Sequence, residues 1–329
     1  MKICVIGAGP VGCFVAGHLA YAGLCEASLL ARGEALAAIA REGVTVTAPT
    51  GHFTAPVRVT DQAADLGVQD VIFVAMKPRP LAAALPQFAH LIGPDTVVVH
   101  PANGIPYWFL HDLDCPWRDQ RIEAIDPGGG QWRTMDPARV IGAVMWAGIR
   151  LTAPGQVMHD GGQAGCSLGE PGGAVSDRVR AIADLMNRSG MLARVRSNIR
   201  GDIWMQATHN LCFNPVAALT HARMGDMAAQ PGVVALLQAM VAEVDALAVR
   251  LGVFLPYSPE RRISAALAAS GHRMALLQDL EAGRPLDWPS SAASLCALRD
   301  LVGLATPTLD AVLALMDLRQ ARYAAHASL

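Results

Sequence analysis

No C-x-x-C pair occurs among the seven cysteines, which lie scattered at Cys4, Cys13, Cys25, Cys115, Cys166, Cys212 and Cys296 and are odd in number. Neither a disulfide framework nor a zinc site is expected, and no other metal site suggests itself; a reducing cytoplasm fits this cysteine usage. Charge of a single sign is also missing. The 26 Lys and Arg against 28 Asp and Glu leave a net charge of -2, so there is no basic field to draw nucleic acid and no acidic tail. The opening "MKICVIGAGPVG" runs into glycines too soon for the apolar stretch and cleavage site of a signal peptide. No run of about 18 residues stays apolar without charged or strongly polar interruption, so no membrane span is expected. What the chain has in quantity is apolar residue, 52% of 329 positions with a mean hydropathy of +0.31, enough for the cores of two domains.

The N-terminal half alternates strand and helix signals. "KICVI" reads as a strand, "GAGPVG" follows at once, and "CFVAGHLAYAG" is helix-compatible up to Gly23. This context gives the G-x-G-x-x-G pattern meaning as a dinucleotide-binding turn. Gly7 permits the tight turn, Gly9 lets the backbone approach a pyrophosphate, and Gly12 allows close helix-strand packing, while the helix N-terminus offers N–H groups to the anion. The next strand, residues 26–32, ends in Arg32, the residue type that accommodates the 2'-phosphate of NADP, although Glu34 stands close by. "DVIFVAMKP" (70–78) and "TVVVHPANG" (96–104) read as further strands with a helix between, which argues for a parallel sheet. Ligands of such sheets bind beyond the carboxyl ends of the strands, where Lys77 and Asn103 fall. From 139 to 170 apolar runs broken by Pro-Gly and Gly-Gly suggest antiparallel hairpins. A helix and a strand then close a Rossmann-type α/β domain at 1–196.

Residues 197–329 read as an all-α domain, with helices expected at about 200–222, 231–252, 258–282, 289–303 and 307–326. Within the first, "IWMQATHNLCFNP" places Gln206, His209, Asn210 and Asn214 at spacings of three, one and four, on or near one face. A solvent-facing stripe is usually charged; amides and an imidazole in an apolar setting suit a cleft. The same amides could instead satisfy neighbouring loops in a buried interface.

Taken in order, "GAGPVG", "AMK", "ANGIP", "LGEP", "NLCFNP", "LLQDLEAGRPLD" and "ATPTLDAVLAL" resemble the ketopantoate reductase family, the NADPH-dependent 2-dehydropantoate 2-reductases, over nearly the whole chain. The resemblance implies a Rossmann-type domain followed by a helical one, with the substrate in a cleft between them, and reduction of 2-dehydropantoate to pantoate on the route to coenzyme A. It implies that Gly7, Gly9 and Gly12 cradle the pyrophosphate and that Arg32 contacts the 2'-phosphate. Lys77 and Asn103 would lie beside cofactor and substrate. Asn210 and Asn214 would face the substrate, with Pro215 bending their helix.

Departures from the family pattern are as informative. Gln206 stands where the family carries a lysine thought to protonate the developing alkoxide, and an amide is no general acid at neutral pH. Ala275 replaces a serine, and Asp287 replaces the usual glutamate after "GRP". Two repairs are open: the His209 imidazolium as proton donor, or Gln206 and Asn210 polarising the carbonyl while water delivers the proton. Lys77 is a third, less attractive donor. The expected function is NADPH-dependent reduction of a small 2-oxo acid, ketopantoate first. The alternatives are a reductase of a different 2-oxo acid or ketone, or a non-catalytic NADPH-binding protein. A homodimer is the base-rate expectation for assembly.

Overall fold

A computed structural model of the chain describes all residues except 50, 102, 103, 147, 160–163, 285, 287 and 327–329. It divides into two compact units. One comprises Met1–Ala102, Tyr107–Asp112 and Asp126–Ile199; the other comprises Asn103–Pro106, Leu113–Ile125 and Arg200–Leu329.

The first unit is built on an eight-stranded sheet. Its strands are β1 (Lys2–Ile6), β2 (Glu26–Leu30), β5 (Arg58–Thr60), β6 (Val71–Val74), β7 (Val97–Pro101), β8 (Val140–Met145), β11 (Gly165–Gly169) and β12 (Leu192–Val195). The order is β12-β11-β8-β7-β6-β1-β2-β5. From β5 across to β8 all neighbours pair in parallel, and β11 pairs antiparallel with β8. The parallel strands are apolar because both faces are covered: Ile72, Val98 and Val99 have no exposed surface. From β1 the chain proceeds to β2 on one side and later to β6 on the other, so the strand order reverses at β1. Its carboxyl end is therefore the natural ligand crevice.

Helices α1 (Pro10–Ala22), α2 (Gly33–Glu42), α3 (Pro78–Phe88), α4 (Gly130–Thr134) and α5 (Asp177–Arg188) connect the strands. Helix α1 starts with Pro at its first position and stops at Gly23, whose φ of 64° is the left-handed cap expected of glycine.

A second sheet has the order β4-β3-β10-β9, formed by β3 (Val44–Ala48), β4 (Gly51–Ala55), β9 (Ile149–Ala153) and β10 (Gln156–His159). The antiparallel hairpin expected after residue 139 is β9-β10, whereas β8 is an inner strand of the main sheet, parallel to β7. Helix α1 packs against this second sheet too: a Cβ on Gly17 would lie 2.9 Å from Val46 Cγ2.

The second unit holds α6 (Ile199–Thr220), whose first residue belongs to the other unit, then α7 (Met224–Ala228), α8 (Pro231–Arg250), α9 (Pro259–Leu267), α10 (Ala275–Glu281), α11 (Trp288–Val302) and α12 (Pro307–His326). The single helix expected at 258–282 is two, α9 and α10. The break frees the carbonyls of Ser270 and His272 to accept the backbone N–H groups of Gly225 and Met224 at the start of α7. Helix α8 is long and apolar enough to cross a membrane by length and composition. Its two acidic residues are both engaged within this unit. Glu243 accepts the N–H groups of Thr308 and Leu309 at 2.9 Å each, and Asp245 pairs with Arg262 of α9. All seven cysteines are free. Burial pushes the thiols of Cys4 and Cys13 up to about 11, so they are not thiolates at neutral pH.

Candidate functional site

Each glycine of the first turn has its own steric reason. Gly7 has φ 105°, and a Cβ there would come within 2.8 Å of both the Ala75 carbonyl oxygen and Met76 Cγ. Gly12 lies so tight against the turn that its Cβ would sit 1.8 Å from the Gly7 oxygen. Around Gly9 the space is open, with no heavy atom within 4 Å of where a Cβ would be. Gly9 caps α1 without a side chain, and Pro10 follows. The first-turn N–H groups of α1 are thus left to a ligand or solvent. Two positions closed to any side chain beside one open to approach fit a dinucleotide pyrophosphate.

Arg32 and Lys77 follow strands that end at this carboxyl edge. Strand β2 ends at Leu30, and Arg32, exposed, caps α2 two residues later with extended backbone. Lys77 is exposed and caps α3 three residues past the end of β6. Asn103 lies outside the described residues, as does Asp287. Ile105, two residues after Asn103, donates its N–H to the buried Ser294 Oγ at 3.2 Å. Ser294 thus ties this loop to α11, and nothing in "SSAAS" marks it out from its neighbours.

In the second unit, Gln206, Asn210 and Asn214 follow one another at four-residue steps along α6, which continues through Pro215. Gln206 and Asn210 are half-buried and Asn214 is buried. Asn214 Nδ2 donates to Asn210 Oδ1 at 3.3 Å, and Asn214 Oδ1 accepts the Leu276 N–H at 3.1 Å. Ala275, at the expected serine position, opens α10, whose own cap residue Met274 makes no side-chain cap bond. Asn214 does that work from across the unit.

His209 stacks on Phe213 of the same helix, with ring centroids 4.8 Å apart and 22° between planes. Burial, reinforced by the nearby His272, lowers its pKa to about 4. The imidazolium expected as a proton donor is therefore absent at neutral pH, because an apolar setting disfavours the charged ring. A neutral imidazole keeps one N–H to donate.

Residues 3–114 match the profile of the family described as Ketopantoate reductase PanE/ApbA, and residues 198–320 match that of its C terminal domain. The 2-dehydropantoate 2-reductase of Mesorhizobium japonicum is 40% identical over 316 residues, covering 96% of this chain and 97% of the relative. The chain belongs to the ketopantoate reductase family. Solved structures agree with this membership. A crystal structure from Ralstonia solanacearum MolK2, provisionally called a ketopantoate reductase, superposes with a TM-score of 0.90 at 36% identity, covering 100% of this chain and 99% of the other. The 2-dehydropantoate 2-reductase of Methylococcus capsulatus gives 0.81 at 25% identity with 98% of each chain covered. As a ketopantoate reductase family member the protein is an NAD(P)-dependent oxidoreductase with an α/β domain and a helical one.

Proposed function

We propose that this chain reduces 2-dehydropantoate to pantoate with NADPH in the cytoplasm, with residues 1–196 binding the cofactor and 197–329 supplying the substrate side. The observation that carries this reading is the 40% identity to the Mesorhizobium japonicum 2-dehydropantoate 2-reductase across nearly the full length of both chains. NADPH is preferred over NADH because the exposed residue two positions past the end of β2, at the cap of α2, is Arg32, whose guanidinium suits a 2'-phosphate.

When bound, the cofactor supplies the hydride for the ketone carbon. Gly7, Gly9 and Gly12 hold its pyrophosphate against the start of α1, and Lys77 and Asn103 border it. Gln206 and Asn210 donate N–H bonds to the substrate carbonyl oxygen, which stabilises negative charge as it develops there. Asp287 accepts from a substrate hydroxyl. Water delivers the proton, since neither an amide nor a neutral His209 is a competent acid at pH 7.

The test is the initial rate of NADPH oxidation with ketopantoate, with NADH run in parallel. Turnover of about 1 to 10³ per second is expected, with Arg32→Ala raising KM for NADPH and leaving that for NADH little changed. Tight NADPH binding without turnover would redirect the reading to a different 2-oxo acid.

A further inference from the structure

The sequence "NGIP" at 103–106 places one anchored peptide between two stiff residues. Gly104 has φ 101°, a backbone conformation that favours glycine. Pro106 bars the helical conformation at Ile105 and has no N–H of its own. Between them the Ile105 N–H donates to Ser294 Oγ at 3.2 Å, and the two residues are 4% and 6% exposed. A backbone N–H can only donate, so the serine oxygen is the acceptor whatever its own proton does. Ser294 sits on a well-held helix. Leu295 and Leu298 of α11 are buried, and at the start of that helix Trp288 Nε1 donates to Asp317 Oδ1 of α12 at 3.0 Å.

We infer that Ser294 is a positioning residue whose hydroxyl fixes the turn that begins at Asn103 to α11, so that Asn103 goes with the helical unit rather than with the sheet whose strand β7 it follows. This rests on the proposed roles of Asn103 and Asp287 in the reaction. The division of the chain supports it: Asn103–Pro106 group with the helices, while the chain up to Ala102 and again from Tyr107 groups with the sheet. The link to Asn103 is covalent. Two peptide bonds separate it from the anchored N–H, with the constrained Gly104 between. Asp287 directly precedes Trp288, the first residue of α11. One helix thus follows Asp287 in the chain and holds the Asn103 turn by its side, and a contact misplaced by about 1 Å costs on the order of 10²-fold in rate.

Ser294→Ala removes the acceptor, while Ser294→Thr keeps the oxygen. In Ser294→Ala kcat for ketopantoate is expected to fall by about ten- to a hundredfold. The Kd for NADPH should stay within about twofold at full stoichiometry, because the glycine turn and Arg32 belong to the sheet unit. A purely structural loss would lower the amount of NADPH bound along with the rate. Ser294→Thr is expected to recover most of the rate. In an Asn103→Ala background Ser294→Ala should add no further loss, since the residue through which it acts is gone, and this comparison decides the matter if the extra methyl of threonine unfolds the protein. A Ser294→Ala enzyme with unchanged kcat, a loss matched by lost NADPH sites, or a full further loss beside Asn103→Ala overturns the inference.

A second readout needs no turnover. Hydrogen exchange at the Ile105 N–H should be slow in the wild type and in Ser294→Thr, and fast in Ser294→Ala, with the amides of α11 unchanged. If the wild type fails to reduce ketopantoate, the functional reading falls and the exchange measurement alone decides whether Ser294 holds the turn. Rapid exchange at Ile105 in the wild type, or protection that survives Ser294→Ala, ends it.

Discussion

Gly9 and Gly12 differ in what a single methyl group would do, and the difference separates folding from binding. At Gly12 an added Cβ meets a backbone oxygen at 1.8 Å, which no side-chain adjustment can relieve. Gly12→Ala is expected to lower the thermal midpoint and weaken NADPH binding together. Gly9→Ala meets nothing in the protein, so the midpoint should stay and only cofactor affinity should fall, by tenfold or more in a fluorescence titration. If both variants lose stability alike, the open space at Gly9 is not where a ligand approaches. Gln206 makes a second prediction at this scale. Gln206→Lys is expected to raise kcat for ketopantoate by up to the roughly 10² to 10⁴ that positioned acid catalysis supplies. An unchanged rate would mean that proton delivery is not limited by the missing lysine.

Helix ends in the second unit are satisfied by side chains far away in sequence. Asn214 caps α10, and Glu243 of α8 caps α12 with one oxygen on each of two N–H groups, 2.9 Å apiece. Glu243→Ala leaves both donors to find water and should cost about 1–2 kcal/mol. The check is chemical denaturation, with the midpoint shifting at constant slope and NADPH affinity unchanged. Sequence spacing showed the long helices and even the amide face of α6, but neither the short α7 nor the break between α9 and α10. It gave no sign that Asn214 would turn its oxygen to Leu276, because a cap supplied across 62 residues leaves no local pattern. The short strands β3 and β4 escaped for a similar reason: "VTVTA" and "GHFTA" become a sheet only by pairing with each other and with β10, about a hundred residues on.

Acid should unfold the whole molecule early. His100 and His209 both have pKa values lowered by burial to about 4, and His18 is lowered in the same way. Each ring binds its proton more readily in the unfolded chain than in the native one, so stability rises with pH across this range. The stabilisation is complete above about pH 6.5, the ordinary histidine value, and drains away as pH falls toward 4. For His100 and His209 the loss at pH 5 is on the order of 1–2 kcal/mol each. The thermal midpoint should therefore drop between pH 7 and pH 5, and the double variant His100→Gln, His209→Gln should flatten that slope. A midpoint independent of pH in this window would show that neither ring is held neutral by the fold.

By itself the sequence determined the order of elements around the glycine turn, the change from α/β to helical character and the family. Those features are local or periodic, set by φ > 0 at glycine, by strand and helix patterning and by short motifs in a fixed order. Only the tertiary structure decided the charge state of His209, the split of α9 from α10 and the capping of α10 by Asn214. Each of these depends on what lies across space: burial that removes water from an imidazole, main-chain carbonyls of 270 and 272 taken up by α7, and a backbone N–H at Leu276 that donates to a side chain of another helix.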